Sequence, residues 1–200
     1  MKPHEIEAES FRIIEELVDW RKYFTESQWP VARRMIHACG DIQIAESIRI
    51  SDKAVQAGIN ALGLNTPLVC DVQMLKSGLS KVARAGRDVH CFINDPAIAE
   101  DALRTGETRA RRAMFHAAGL YPEAVYLIGN APTALIALME LVKAGKMAPA
   151  LVVGVPVGFV MAAESKEWLS QTPLNYITNL GYKGGSPMTV AAFNALAAMK

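Results

Sequence analysis

The sequence predicts an α/β protein in which helices cover both faces of a largely parallel sheet. Short apolar runs alternate along the chain with longer segments of helical periodicity, as in α/β folds. The runs are apolar throughout rather than at every second residue, which is typical of strands buried on both faces. With 200 residues, of which 51% are hydrophobic, the chain is expected to form one domain spanning residues 1–200.

Five runs are predicted to be strands, and each is separated from the next by about one helix. In chain order they are PLVCDV, DVHCFI, AVYLIG, ALVVGV and NYIT. Leu151, Val152 and Val153 are expected to be central in the sheet, because this run is uniformly apolar.

Two helices are predicted before the first of these strands. Apolar residues from Ile6 to Val18 recur at helical spacing, with Pro3 near the first turn. A second helix is expected from Trp29 to Ala38. Gly40 should end it, because glycine readily adopts the left-handed conformation of helix C-termini.

Composition argues against several classes of protein. The formal net charge of +1 does not favour a general nucleic-acid binder. Cys39, Cys70 and Cys91 are few and widely spaced, which favours largely buried, reduced thiols and a cytoplasmic location. Acidic residues occupy the N-terminal segment where a signal peptide would be apolar, and no apolar run has the length of a membrane span.

Small and polar residues follow several predicted strands. They are Asp71, Asn94 to Pro96, Asn130 to Thr133, and Gly154 to Gly158. In open α/β sheets, ligands bind outside the carboxyl ends of the strands. These turns are therefore the expected location of the chemistry.

His37 is the histidine whose context most suggests a catalytic role. It lies one turn before a predicted helix end, after two arginines and beside small residues. A helix C-terminus favours the protonated imidazole, so His37 is a candidate proton donor. The alternative is a core histidine bonded to a backbone carbonyl.

Several common types of site are not supported by the sequence. No His or Cys pair has the spacing of a metal site, and no G-x-S-x-G elbow is present. The glycine-rich segments GVPVGF and KGGS match neither a Walker A loop nor a dinucleotide fingerprint. We therefore expect no protein-bound metal, and the sequence gives little support for nucleotide binding.

Anion binding is predicted near the last helix. Backbone N–H groups of Gly184, Gly185 and Ser186, together with Lys183, could hold a carboxylate or phosphate, although a serine-capped loop explains the same residues. In the segment TRARRAM, one of the three arginines is expected to face the ligand if the ligand is an anion, and the others are expected to be solvated. In AAESKEW, Glu164 and Lys166 could orient a polar group or form a solvated first turn.

Eight segments in order resemble the precorrin-8X methylmutase family. They are ESF, RMIHACG, CDVQM with SGLSKV, CFINDP, GETRARRAM, IGNAPTAL, VGVPVGFVMAAESKE and GYKGGSPM, which together extend from residue 8 almost to the C-terminus. The resemblance implies a three-layer α/β/α fold, a homodimer, and an isomerase of cobalamin biosynthesis that needs no cofactor.

The reaction that the resemblance implies is a methyl shift from C-11 to C-12 of precorrin-8X or cobalt-precorrin-8, giving hydrogenobyrinate or cobyrinate. His37 matches the histidine that the family uses, and it would donate a proton to the macrocycle. The implied substrate-binding residues are Ser10, Ser80, Arg109, Asn130, Thr133, Lys183, Gly184, Gly185 and Ser186. For Ser10, Ser80 and Thr133, capping a helix is the alternative.

Two departures from the family pattern concern substrate binding. Members commonly have R-G-R-K-G-G-S where this chain has Leu180, Gly181 and Tyr182 before Lys183, so two potential carboxylate clamps are missing. Met161 replaces the small residue usual after GFV, where it could narrow the pocket or fill core volume. The competing functions are a non-catalytic tetrapyrrole carrier or sensor, and a nucleotide- or phosphate-binding α/β protein that uses the KGGS turn.

Overall fold

A six-stranded sheet forms the centre of the protein in the computed structural model, which describes residues 2–200. The spatial order is β1-β6-β5-β4-β2-β3, and every neighbouring pair is parallel except β1 and β6. The strands are β1 (Ile48–Ile50), β2 (Leu68–Cys70), β3 (Val89–His90), β4 (Val125–Ile128), β5 (Leu151–Gly154) and β6 (Tyr176–Asn179).

Helices pack against both faces of this sheet. One layer contains α1 (Pro3–Leu17), α2 (Trp29–Cys39), α3 (Ala54–Gly63), α4 (Gln73–Gly78), α5 (Lys81–Arg84) and α10 (Ser186–Ala198). The opposite layer contains α6 (Pro96–Thr105), α7 (Arg109–Leu120), α8 (Pro132–Lys143) and α9 (Ala162–Ser170). Two short 3₁₀ helices, Trp20–Lys22 and Ile42–Glu46, lie before and after α2.

The central strands supply side chains to two separate apolar cores. On β4, Val125 and Leu127 belong to one core, whereas Tyr126 and Ile128 belong to the other. This alternation follows from the two-residue period of a strand. All four are buried, which explains why the sequence shows an uninterrupted apolar run. The predicted three-layer α/β/α fold is confirmed.

The five predicted strands are all present, together with a sixth strand that was not predicted. The missed strand is β1, a short edge strand whose Ile48 pairs with Asn179 of β6 in antiparallel register. Both predicted N-terminal helices form. Gly40 ends α2 with φ of +64°, as expected from its freedom in the left-handed region.

The structure corrects one expectation about the thiols. Cys70 is buried and Cys91 half-buried, but Cys39 is exposed near the end of α2, so the prediction of largely buried cysteines is wrong for Cys39. Over residues 2–200, no helix combines the length and the apolar character needed to cross a membrane.

Candidate active site

The turn between β4 and α8 is held by a buried carboxylate that follows β2. Asp71 is fully buried, and its side chain accepts hydrogen bonds from the N–H groups of Gly129 (3.2 Å), Asn130 (2.9 Å) and Ala131 (2.8 Å). Burial raises the pKa of Asp71, while the three N–H donors act in the opposite direction by favouring the carboxylate. Asp71 therefore fixes the conformation of the turn that contains Asn130.

The start of α10 packs directly on this turn. A Cβ added at Gly129 would lie 2.9 Å from Ser186 Cα and 2.6 Å from Thr189 Oγ1. Only glycine permits such a close approach without a shift of the neighbouring backbone. The turn that carries Asn130 and the segment that carries Ser186 thus meet at the carboxyl edge of the sheet.

Two glycine-containing loops pair with each other at the same edge. The Gly185 N–H donates to the Val155 carbonyl (2.8 Å), and the Gly158 N–H donates to the Tyr182 carbonyl (3.2 Å). Gly184 has φ of +159°, and a Cβ there would lie 2.4 Å from the Val155 carbonyl oxygen. The loop 183–185 is consequently fixed against the loop that follows β5.

A buried lysine supports this loop from the other side. Lys166 of α9 has no exposed surface, and its ammonium donates to the Lys183 carbonyl. The side-chain amide of Asn179, also fully buried, donates to the same carbonyl (2.8 Å). Burial lowers the pKa of Lys166 to about 8. Of the two alternatives given for Lys166, the solvated first turn is wrong, and the side chain instead contacts a polar group, the Lys183 carbonyl.

The side chain of Lys183 itself points away from this buried cluster. It is 61% exposed and forms an ion pair with Asp41, which lies just beyond the C-terminal end of α2. The ammonium of Lys183 holds the pKa of the Asp41 carboxyl below its usual range. This pair links the glycine loop to the end of the helix that carries His37.

His37 lies in the last turn of α2, and its imidazole is exposed. The ring contacts Phe11 of α1 edge-on, with 5.4 Å between the ring centroids. The guanidinium groups of Arg33 and Arg34 lie 4.2 Å and 4.6 Å from the centroid of the same Phe11 ring. Among the described residues, neither ring nitrogen of His37 has a hydrogen-bond partner, so the alternative of a core histidine is wrong.

A cavity of about 470 Å³ contains His37 together with Ser80. It runs along the outer face of α10, where its floor is mostly apolar. The lining residues are Arg34, His37, Ala38, Ser80, Val82, Pro187, Val190, Ala191, Asn194 and Ala198. The cavity thus places an imidazole, and the guanidinium of Arg34 in its ion pair with Glu7, beside small apolar side chains.

Ser80 combines a capping role with its place in this cavity. Its hydroxyl accepts from the Ala83 N–H (3.1 Å) as the N-cap of α5, and its own N–H donates to the Asn194 side chain (2.9 Å). The alternative expected for Ser80, a helix cap, is therefore present. Capping engages one lone pair of the hydroxyl and leaves its proton free to donate.

A larger groove, of about 1050 Å³, lies beyond the Lys183–Asp41 pair. It is bounded by the end of α1, the 3₁₀ helix Ile42–Glu46 and the two paired loops. Exposed apolar side chains contribute much of its surface, among them Phe159 at 86% exposure and Tyr182 at 56%.

Among residues 2–200, the remaining predicted site residues form no hydrogen bond with His37. Ser10 donates to the Ile6 carbonyl within α1 (2.9 Å). Arg109 is exposed at the first position of α7, and the preceding residue, Thr108, shares a hydrogen bond with Thr133 at the start of α8 (2.8 Å). Arg109 and Thr133 therefore lie close together on the opposite helix layer from His37.

The neighbours of Arg109 are already engaged by carboxylates. Arg111 pairs with Glu107 and Glu140, and Arg112 pairs with Asp101 and Glu107. Within residues 2–200, no group of three or more His, Cys, Asp or Glu side chains is arranged to hold a metal ion.

Comparison with known proteins places the chain in a family. A family model described as precorrin-8X methylmutase matches residues 5–199. The cobalt-precorrin-8 methylmutase of Priestia megaterium is 41% identical over 198 residues, covering 98% of this chain and 88% of that protein. The chain belongs to the precorrin-8X methylmutase family. The precorrin-8X methylmutase of Pseudomonas aeruginosa is 42% identical over 171 residues, covering 84% of this chain and 82% of that protein.

Solved structures in the precorrin-8X methylmutase family share this fold. The precorrin-8X methylmutase from Thermus thermophilus aligns with a TM-score of 0.86 and 37% identity, covering 98% of this chain and 95% of that one. A precorrin-8X methylmutase related protein aligns with a TM-score of 0.87 and 30% identity, covering 95% and 100%. The predicted enzyme class, an isomerase of cobalamin biosynthesis, is confirmed.

The two departures from the pattern of precorrin-8X methylmutases have clear structural positions. Met161 is the N-cap residue of α9 and lies in the left-handed region, with φ of +62°. It is 45% exposed, so it does not fill core volume. This backbone conformation is free of strain for glycine, whereas a methionine Cβ makes it unfavourable. Tyr182 packs against Phe159 with 5.5 Å between ring centroids, so an aromatic pair stands where an arginine is common.

Proposed function

We propose that the chain moves a methyl group from C-11 to C-12 of precorrin-8X or cobalt-precorrin-8, with His37 as the proton donor. The observation that carries this proposal is an exposed imidazole above the apolar floor of a cavity, with no hydrogen bond to any of the described residues 2–200. Relatives named for each of the two substrates are about equally similar to the chain, so both substrates are included.

The reaction requires no net change in electrons or protons. The bond between C-11 and the methyl group breaks, the bond between C-12 and the methyl group forms, and the conjugated π electrons shift accordingly. A proton donated by His37 to a ring nitrogen draws electron density from the adjacent carbon and favours migration, and it returns to His37 as the product forms. Such positioned acid catalysis contributes about 100-fold or more to a rate.

The acetate and propionate groups of the substrate require cations and N–H donors. We propose that Arg109, Lys183 and the N–H groups of the segment 184–186 bind these carboxylates, because all of them lie in turns or first helical turns at the carboxyl edge of the sheet. Hydrogen bonds to the macrocycle are proposed for Ser10, Ser80, Asn130 and Thr133. The homodimer and the cytoplasmic location stay predictions.

The test is an absorption assay of purified protein with precorrin-8X and with cobalt-precorrin-8. The wild-type protein is expected to convert at least one of them to a product with the absorption of hydrogenobyrinate or cobyrinate. His37→Ala should lower kcat by about 100-fold or more while leaving product binding largely intact. His4→Ala is the matched control, because His4 is also an exposed helical histidine.

Two outcomes would contradict the proposal in different ways. An unchanged rate in His37→Ala would remove the imidazole from the mechanism. Binding of hydrogenobyrinate by a wild-type protein that converts neither substrate would support the carrier or sensor function instead.

A further inference from the structure

The buried ammonium of Lys166 has no carboxylate partner among the described residues, which is unusual for a lysine with no exposed surface. Its neighbours Glu164 and Glu167 on α9 are exposed. The acceptor of Lys166 is the carbonyl of Lys183, a backbone group of the loop proposed to bind substrate carboxylates. The lysine therefore acts on the orientation of that loop.

Hydrogen bonds from two buried side chains fix one peptide unit. Lys166 and Asn179 both donate to the Lys183 carbonyl, which directs that oxygen toward the protein interior. The peptide bonds of the described chain are trans, so the C=O and N–H of one planar unit point in opposite directions. The N–H of Gly184 must accordingly point away from Lys166, and no group among residues 2–200 accepts a hydrogen bond from it.

We propose that Lys166 is a positioning residue that orients the Lys183–Gly184 peptide, so that the Gly184 N–H is presented to a carboxylate of the substrate. The proposal rests on the proposed function, because it concerns the loop assigned there to substrate binding. The Lys166 ammonium contacts the buried side of the loop, whereas the Lys183 ammonium is exposed and paired with Asp41.

The test separates loss of donor and charge from loss of volume. Lys166→Met keeps an unbranched side chain of similar length, and it is expected to raise KM for the substrate about tenfold while kcat changes by less than about twofold. The Kd for hydrogenobyrinate should rise by a similar factor. Lys166→Arg retains both charge and donors, and it should recover most of the lost affinity.

A matched control is Lys146→Met, because Lys146 is exposed in the turn after α8. This variant should show wild-type KM and kcat. Asn179→Ala provides a second test, since it removes the other donor to the Lys183 carbonyl. It should raise KM in the same direction.

The outcomes distinguish failure of the proposed function from failure of the proposed positioning role of Lys166. No turnover by the wild-type protein refutes the proposed function. Turnover by the wild type with an unchanged KM in Lys166→Met, or with a loss confined to kcat, refutes only the positioning role. If neither Lys166→Met nor Asn179→Ala folds, as judged by circular dichroism, these residues serve folding and the positioning role is also refuted.

Discussion

Replacing Lys166 by methionine should stabilise the protein at neutral pH, and the gain should disappear as the pH rises. Burial lowers the pKa of this lysine from its ordinary value of 10.5 to about 8 in the folded protein. Between these values the unfolded chain binds more protons than the folded one. The free energy of unfolding of the wild type therefore rises with pH across this window, relative to a variant that lacks the amine.

The size of the effect follows from the separation of the two pKa values. The interval from about 8 to 10.5 corresponds to about 3 kcal/mol. Against this, methionine cannot donate to the Lys183 carbonyl, which costs about 1 kcal/mol. We expect Lys166→Met to be more stable than the wild type by about 2 kcal/mol at pH 7, and less stable by about 1 kcal/mol above pH 10.5.

Guanidinium unfolding at about pH 7, 8, 9, 10 and 11 measures this difference directly. Only the difference between the variant and the wild type is interpreted, because other groups, including the buried Tyr126 with its raised pKa, titrate equally in both proteins. Lys146→Met should track the wild type at every pH. A difference between Lys166→Met and the wild type that stays constant with pH would refute the reasoning.

Two further predictions concern left-handed backbone in the paired loops. Gly184→Ala should lower the free energy of unfolding by about 2 kcal/mol or more, because the added Cβ would lie 2.4 Å from the Val155 carbonyl oxygen. Gly181→Ala is the control, because φ there is +79° but the space around the added Cβ is open. In the same guanidinium denaturation assay it should lower the free energy of unfolding by only about 1 kcal/mol. Met161→Gly should raise the free energy of unfolding by about 0.5–1 kcal/mol, because φ of +62° is unstrained for glycine. An unchanged or lowered midpoint of guanidinium unfolding would show that the contacts of the methionine side chain outweigh the backbone strain.

The sequence predicted those parts of the fold that are determined by local pattern. Continuous apolar runs identified the five strands that are covered by helices, and Gly40 marked the end of α2. β1 escaped detection because Ile48 and Ile50 flank a charged residue in a strand too short to show a period. Its pairing with β6 is set by long-range contacts, from Ile48 to Asn179, that no local pattern records.

Single histidines and lysines were predicted less well, because their exposure depends on how helices pack. The sequence around His37 is equally compatible with a buried and an exposed ring. The structure exposes the ring because Met35 and Ile36 face the core on the other sides of α2. Arg109 could not be distinguished from Arg111 and Arg112 by spacing alone, since the carboxylates that engage the latter two come partly from neighbouring helices.

Lys166 shows most clearly what a sequence cannot convey about a site. In the segment AAESKEW it lies between two glutamates, which is the pattern of a solvated helical face. The glutamates are indeed exposed, yet helical geometry turns the intervening Lys166 toward β6 and the glycine loop. A buried amine that lacks a carboxylate partner lowers the stability of the fold at neutral pH. If Lys166→Met is more stable than the wild type and also binds substrate more weakly, the buried amine lowers the stability of the wild type while it improves substrate binding. The two measurements together would then connect the lower stability of the wild type with the orientation of one peptide group.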